Sequence, residues 1–119
     1  VLRKTRHGDR RVEIDLPDLS AWRGRQPVLA DDIASSGHTL IEAARKLPAQ
    51  GFPPPVVAVV HGIFAGDAYA GLAPLCGRIV STDSVPHETS AIGLAPLIAA
   101  ALAAPDAAAG ATIHRRPPC

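Results

Sequence analysis

The chain has 119 residues, which is enough for one domain with a core of its own. Its charged residues make up 19% and leave a formal net charge of +1, which excludes a nucleic-acid or anionic-membrane surface held by bulk charge. No run of eighteen apolar residues occurs, and two cysteines far apart in sequence support neither a disulfide framework nor a zinc site, so a cytoplasmic protein is expected.

The N-terminal stretch predicts a loop and one strand. Residues 1–11 are strongly basic and contain the turn-forming pair Gly8-Asp9, which is typical of a loop. Residues 12–16 alternate between apolar and polar side chains, which predicts a strand at the edge of a sheet. The chain begins with Val1 and contains no methionine, so we expect its natural start to be missing. Residues 1–103 are therefore interpreted as a partial domain, incomplete at its N-terminal side.

Strands and helices alternate in the middle of the chain. The apolar residues 28–30 predict a buried strand that ends in two acids, and the β-branched run at 56–60 predicts a central strand buried on both faces. Between them, apolar residues recur at three- and four-residue spacing over residues 39–49, as in an amphipathic helix closed by a proline and a glycine. A second helix is predicted over residues 66–75 and a third strand over residues 78–81.

This alternation predicts an α/β fold with a largely parallel sheet flanked by helices, because parallel strands need crossover connections. Ligands of such sheets bind beyond the carboxyl ends of the strands. A last short helix is predicted over residues 94–102. Residues 104–119 are rich in alanine and proline without a periodic pattern, which predicts a loose tail.

Two acids and a hydroxyl-rich loop follow the strand at residues 28–30. Asp31 and Asp32 can accept hydrogen bonds from the hydroxyl groups of a sugar ring. The next residues carry hydroxyls and backbone N–H groups at the start of a helix, where the positive end of the helix dipole favours an anion. These residues are Ser35, Ser36, Gly37, His38 and Thr39. Together they indicate a binding site for a phosphorylated sugar.

The same residue types also occur in structures that bind nothing. Two acids followed by serine and glycine are common in plain turns, and Thr39 can cap the helix through its hydroxyl group. His61 is more typical of a hydrogen-bonded structural residue than of a metal ligand, since no second ligand stands at a recognisable spacing. Asp67 and Asp83 follow strand ends, where turn or cap roles are usual.

The string VLADDIASSGHTL at residues 28–40 resembles the phosphoribosyl-diphosphate signature, in which an apolar strand leads into paired acids and a phosphate loop. Ribose-phosphate pyrophosphokinases and phosphoribosyltransferases share that signature. Further segments resemble the pyrophosphokinases alone, and the similarity extends from residue 1 to about residue 103. They are residues 1–10, similar to the mobile flag with its Lys-x-Arg pair, residues 59–68, residues 79–87 and residues 92–99.

The resemblance implies the carboxyl-terminal half of a ribose-phosphate pyrophosphokinase with a phosphoribosyltransferase-like fold. Asp31 and Asp32 would hold the ribose hydroxyls of ribose 5-phosphate, and Ser35, Ser36, Gly37, His38 and Thr39 would bind its phosphate. Many members of the family have an acid and a threonine in place of the two serines and a glycine in place of the histidine.

The resemblance also implies catalytic roles for two basic residues. Lys4 and Arg6 would stabilise the charge that develops as diphosphate moves from ATP to ribose 5-phosphate. A basic run of this kind is also typical of a solvated surface. The family needs ATP and Mg²⁺, most of whose binding residues would lie outside this chain, and no metal ligand is assigned here.

Three interpretations follow for the whole protein. The first is a ribose-phosphate diphosphokinase, expected to be a homo-oligomer, of which the isolated 119-residue fragment is inactive. The second is a phosphoribosyltransferase, which would share the sugar-phosphate pocket but use phosphoribosyl diphosphate as its substrate. The third is a non-catalytic homologue or fragment that binds a sugar phosphate.

Overall fold

The chain forms a two-stranded antiparallel hairpin followed by a four-stranded parallel sheet with helices. The computed structural model describes residues 3–7 and 11–103, with side chains from residue 15 onward. The elements are β1 (Arg3–His7), β2 (Arg11–Asp15), β3 (Val28–Ala34), α1 (His38–Lys46), β4 (Val56–Gly62), α2 (Ala68–Leu72), β5 (Arg78–Thr82), β6 (Ser90–Ile92) and α3 (Ala95–Ala103). The predicted tail at 104–119 lies outside the described residues.

The hairpin corrects two predictions. The basic stretch was predicted to be a loop, yet its residues 3–7 form β1, which pairs with β2 so that Lys4 lies opposite Ile14 and Arg6 opposite Val12. The strand predicted at residues 12–16 exists as β2, but its partner is β1 and it does not belong to the parallel sheet. Both strands form because their backbones pair with each other. The pattern of side chains in the sequence does not show which segments pair.

The parallel sheet has the order β3-β4-β5-β6. Val56 on β4 lies opposite Val28 on β3 and Arg78 on β5, so β4 occupies the predicted central position. The α/β fold with a parallel sheet and flanking helices is thereby confirmed. The three-residue strand β6 was not predicted, because so short a segment carries no measurable periodicity.

Helix α1 ends close to where its sequence predicts. Its regular turns stop at Lys46, and a 3₁₀ turn that begins at Pro48 continues to Gln50. Gly51 then adopts a left-handed conformation with φ 83°, the usual end of such a segment, because a Cβ would make this conformation costly. The helix buries Leu40, Ala43 and Ala44 on one face, as the apolar spacing predicts.

The core lies on one face of the sheet, between the strands and the first two helices. Val57 and Val59 of β4 are buried there and belong to one cluster with Phe64 and Leu72. The prediction that β4 is buried on both faces is wrong, since Val60 on its other face is 40% exposed. Within the described range, that second face lacks the covering layer that the β-branched run predicts. No helix in the described part of the chain is long and apolar enough to cross a membrane.

Removal of a core side chain should lower stability far more than the same change on the surface. Leu72 is fully buried, so Leu72→Ala is expected to lower the free energy of unfolding by about 2–5 kcal/mol. Leu97→Ala is the matched change at a side chain that is 62% exposed, and should change it by no more than about 0.5 kcal/mol. Urea denaturation of the 119-residue chain measures both values, and equal losses would contradict the assigned core.

Candidate functional site

The two acids of the predicted site lie within β3, near its carboxyl end. The strand continues through them to Ala34, so they do not mark its end as predicted. The Asp31 Oδ1 atom accepts the backbone N–H of Asp32 at 3.0 Å, and the Asp32 Oδ1 atom accepts that of Ile33 at 2.8 Å. A carboxylate has about four lone-pair positions, so each acid keeps capacity for a ligand. Asp31 is half-buried and Asp32 is exposed.

Helix α1 begins without a side-chain cap. Its N-cap residue is Gly37, in the left-handed conformation with φ 69°, and no side-chain hydrogen bond closes the first turn. Thr39 is the second residue of the helix, so the alternative in which its hydroxyl caps the helix is wrong. A helix end that lacks protein partners leaves its first N–H groups available to water or to a ligand.

The loop before the helix also keeps its donors free. No acceptor in the described part of the chain takes the backbone N–H groups of Ser35, Ser36 or Gly37. The side chains of Ser35, Ser36 and His38 are exposed, while Gly37 is buried. Because these donors precede the positive end of the α1 dipole, the arrangement favours an anion.

The histidine of the loop bonds within the loop. Its Nδ1 atom lies 3.0 Å from the Oγ atom of Ser36, and the donor of this hydrogen bond depends on the imidazole tautomer. The imidazole and the hydroxyl therefore form one polar group above the start of α1. An anion that enters the loop meets this pair as well as the backbone donors.

A cavity of about 760 Å³ adjoins one end of the site. Asp31 and Thr39 lie in its wall, together with residues of the segment between β2 and β3. Most of the wall is apolar, with Leu29, Leu40 and Phe52 among its residues, which suits packing better than a charged sugar phosphate. Asp32 and residues 35–38 do not line it, so the candidate site is the open surface of the loop and the acids.

Sequence reasoning singled out residues 59–68 for their resemblance to the family, but it did not predict that this segment supports the loop. The connection from β4 to α2 donates two backbone hydrogen bonds to it, from the N–H of Phe64 to the Ala34 carbonyl at 2.8 Å and from that of Ala65 to the Ser35 carbonyl at 3.0 Å. The glycines on either side of this segment, at positions 62 and 66, were a further signal in the sequence. They indicate a backbone that needs room or an unusual conformation.

Structural roles were predicted for three polar residues outside the loop, and their hydrogen bonds test those predictions. The Nδ1 atom of His61 lies 2.9 Å from the Oγ atom of Ser84, as expected of a hydrogen-bonded structural histidine. The Oδ1 atom of Asp83 accepts the N–H of Leu94 at 2.9 Å, a turn role that was also predicted. Asp67 is the N-cap residue of α2, although its side chain makes no capping bond. Lys4 and Arg6 are the predicted catalytic residues, and their side chains lie outside the part of the chain whose side chains the structure describes.

Two ionisable groups away from the loop have shifted pKa values. The backbone N–H of Ser20 bonds to Asp18 and lowers the pKa of that carboxyl group. Partial burial raises the pKa of the Cys76 thiol, which keeps it protonated and poorly nucleophilic at neutral pH. Cys76 is partly buried and packs against the core cluster.

Curated ribose-phosphate pyrophosphokinases are similar to most of this chain. That of Methanopyrus kandleri is 35% identical over 102 residues, which cover 85% of this chain and 35% of that protein. That of Methanosarcina acetivorans is 36% identical over 102 residues, with 85% and 36% covered. That of Methanosarcina mazei is 35% identical over 106 residues, with 85% and 34% covered. The chain belongs to the ribose-phosphate pyrophosphokinase family.

The family predicted from the loop and its flanking segments is thereby confirmed. The chain spans about a third of the length of the curated relatives it matches. No family model matches the chain. Its assignment to the carboxyl-terminal half of such a protein stays a prediction.

The conformation of Gly37 should matter for anion binding, and a second glycine provides a matched control. Gly37 and Gly51 both have positive φ, so alanine at either position should cost about 1–2 kcal/mol of stability. Only Gly37→Ala should also reduce the thermal protection given by inorganic phosphate, because it turns the N–H groups at the start of α1. Differential scanning fluorimetry measures both effects. Full phosphate protection in Gly37→Ala would remove the loop from the site.

Proposed function

We propose that this chain supplies the ribose-5-phosphate-binding part of a ribose-phosphate diphosphokinase. The complete enzyme would transfer diphosphate from ATP to the anomeric hydroxyl of ribose 5-phosphate, and would release phosphoribosyl diphosphate and AMP. The observation that carries the proposal is the uncapped start of α1, preceded by free backbone donors and by two acids on the adjoining strand. Donors of this kind at a surface are open to water or to an anion, and the helix dipole favours the anion.

The phosphate of the sugar would bind at the loop formed by residues 35–39. Its dianion would accept hydrogen bonds from the free N–H groups of Ser35, Ser36 and Gly37, with the serine hydroxyls and His38 as further donors. Each hydrogen bond to a charged group contributes more than one between neutral groups. The positive end of the α1 dipole would add to the binding energy.

The ring of the sugar would bind at Asp31 and Asp32. Each carboxylate already accepts one backbone N–H and keeps acceptor positions for a hydroxyl group. Both acids lie a few residues before the phosphate loop on one strand and turn, so one pentose phosphate can span them. This arrangement would hold the anomeric carbon at a fixed distance from the phosphate anchor, which favours reaction through orientation.

Lys4 and Arg6 would serve the transfer step itself. Charge spreads over the oxygen atoms of the transferred group as it moves from ATP, and positioned cations stabilise it. Both residues belong to β1 of the hairpin, whose second strand β2 lies against α1. The hairpin thus connects to the helix whose start is the proposed phosphate site.

Magnesium would enter with the nucleotide and not through a protein cage in this chain. No group of three or more histidine, cysteine, aspartate or glutamate side chains in the described range could hold a metal ion. Mg²⁺ commonly keeps several waters and binds through one or two carboxylates together with substrate phosphates. The absence of magnesium ligands from this chain and the assembly of the whole protein as a homo-oligomer both stay predictions.

The names of the relatives favour this activity over that of a phosphoribosyltransferase. The similar proteins are ribose-phosphate pyrophosphokinases, whereas the acid pair and loop alone suit either class. A non-catalytic role for the isolated chain is compatible with the same pocket. These alternatives share the binding site and differ in the need for ATP and for the two basic residues of β1.

Ribose 5-phosphate should stabilise the chain, and the two acids should be required for this. At a ligand concentration 100 times the Kd, binding contributes about 2.7 kcal/mol to stability, which raises the Tm by several degrees. Asp31→Asn combined with Asp32→Asn should abolish that rise. The control pair Asp15→Asn and Glu88→Gln changes two exposed acids and should retain it. A rise of equal size in the acid-pair variant would reject the pocket.

Substitution of Lys4 or Arg6 should slow the transfer and leave sugar binding intact. The assay is AMP release by a complete family enzyme in which this chain replaces the corresponding third. Lys4→Ala or Arg6→Ala is expected to lower turnover by about 100-fold or more, because each removes a cation that acts in the transition state. Arg78→Ala removes the same charge at the amino end of β5 and should not lower it. Unchanged turnover in both hairpin variants would discard their catalytic role.

A further inference from the structure

Phe64 has a backbone conformation that its side chain opposes. Its φ is +44°, and every other residue with positive φ in the described part of the chain is a glycine. For a residue with a Cβ, the left-handed conformation costs about 1–2 kcal/mol. Such a conformation persists when the surroundings stabilise it.

This conformation directs two successive N–H groups to the same neighbour. In an extended strand, consecutive N–H groups point to opposite sides, whereas a left-handed residue between them allows both to converge. Phe64 donates to the carbonyl of Ala34 at 2.8 Å and Ala65 to that of Ser35 at 3.0 Å. Ala34 is the last residue of β3 and Ser35 is the first residue of the phosphate loop. The two bonds therefore hold the point where the strand becomes the loop.

Packing of the aromatic ring stabilises the conformation of Phe64. The side chain is 6% exposed, and its ring centroid lies 4.7 Å from that of His87 and 5.6 Å from that of Tyr69. The ring also lies directly over Gly62, where a Cβ would come within 2.8 Å of its Cε2 atom. Gly62 thus provides the space that the ring needs.

The same segment reaches the other end of the loop. Ala68 begins α2, and its N–H donates to the carbonyl of Ala65 at 3.3 Å. A Cβ placed on Gly37 would lie 3.4 Å from the Cβ of Ala68, so the two backbones are close neighbours. Residues 64–68 therefore contact the loop both where it leaves β3 and where it enters α1. The free N–H groups of Ser35, Ser36 and Gly37 lie between these two supports.

We propose that Phe64 is a positioning residue for the sugar-phosphate site, an inference that rests on the function proposed above. It does not touch the ligand. Its ring fixes its own left-handed backbone, and that backbone holds the carbonyl groups of Ala34 and Ser35 so that the N–H groups of the loop stay turned toward the anion. The site is thus organised before the phosphate arrives, which reduces the cost of binding.

Substitution by alanine and by glycine separates this role from ordinary packing. Phe64→Ala removes the ring and keeps a Cβ that disfavours positive φ, so the fraction of correctly formed loop falls and the Kd for ribose 5-phosphate should rise by about tenfold or more. Phe64→Gly removes the ring too, but glycine adopts positive φ readily. Its Kd should be at least about threefold lower than that of Phe64→Ala. A role in packing alone predicts the opposite order, because glycine fills less space.

The experiment is calorimetric titration of the 119-residue chain with ribose 5-phosphate, at a temperature where circular dichroism shows each variant to be folded. Val57→Ala is the matched control, since it shortens a fully buried core residue on β4 remote from the loop and should leave the Kd unchanged. If glycine binds no better than alanine, or if Phe64→Ala binds as wild type does, the positioning role is overturned. If the wild type itself does not bind, the proposed function fails and this inference with it.

A measurement on the unmodified chain provides a second test in case the variants do not fold. Hydrogen exchange at the amides of Phe64 and Ala65 should be slow before ligand is added, because both are already hydrogen-bonded. Exchange at Ser35, Ser36 and Gly37 should be fast in the free chain and slow with ribose 5-phosphate. Equally fast exchange at all five amides in the free chain would overturn the proposal.

Discussion

The left-handed backbone of Gly37 is the constraint on which the site depends. It lets α1 begin without a side-chain cap, and so the donors of the helix start and of the preceding loop have no acceptor among the described residues. Unpaired backbone donors are tolerated at a surface because water can occupy them, and an anion can replace that water. In the proposed site, the acids on β3 would decide which anion fits, because carboxylates suit a ligand that carries hydroxyl groups beside its phosphate.

Most of the parallel sheet was predictable because its signals are local. The β-branched run of β4 and the apolar spacing of α1 each report one element, and their alternation fixes a parallel order. The hairpin was not predictable in the same way, since β1 exists through its pairing with β2. The prediction that β4 is buried on both faces was also wrong. A run of valines shows that a strand can be buried, and it does not show which elements pack over it.

In the candidate site, too, the features that could be predicted are those whose residues are neighbours in the sequence. The acid pair and the loop lie next to one another in sequence, so their chemistry could be predicted before their geometry. The support from Phe64 could not, because it comes from the next crossover and from a conformation that phenylalanine rarely adopts. The capping alternative for Thr39 was open on sequence grounds, and the position of Gly37 decided against it.

Within residues 3–7 and 11–103, the sheet is covered mainly on one face, which has a consequence for substitutions along β4. Adjacent positions of this strand face different surroundings, with Val57 and Val59 enclosed and Val60 open to solvent. A hydrophilic replacement at Val60 is therefore expected to cost little stability, while Val57 and Val59 accept only aliphatic side chains of similar volume. Valines of equal hydrophobicity in this run therefore differ in how much substitution they tolerate.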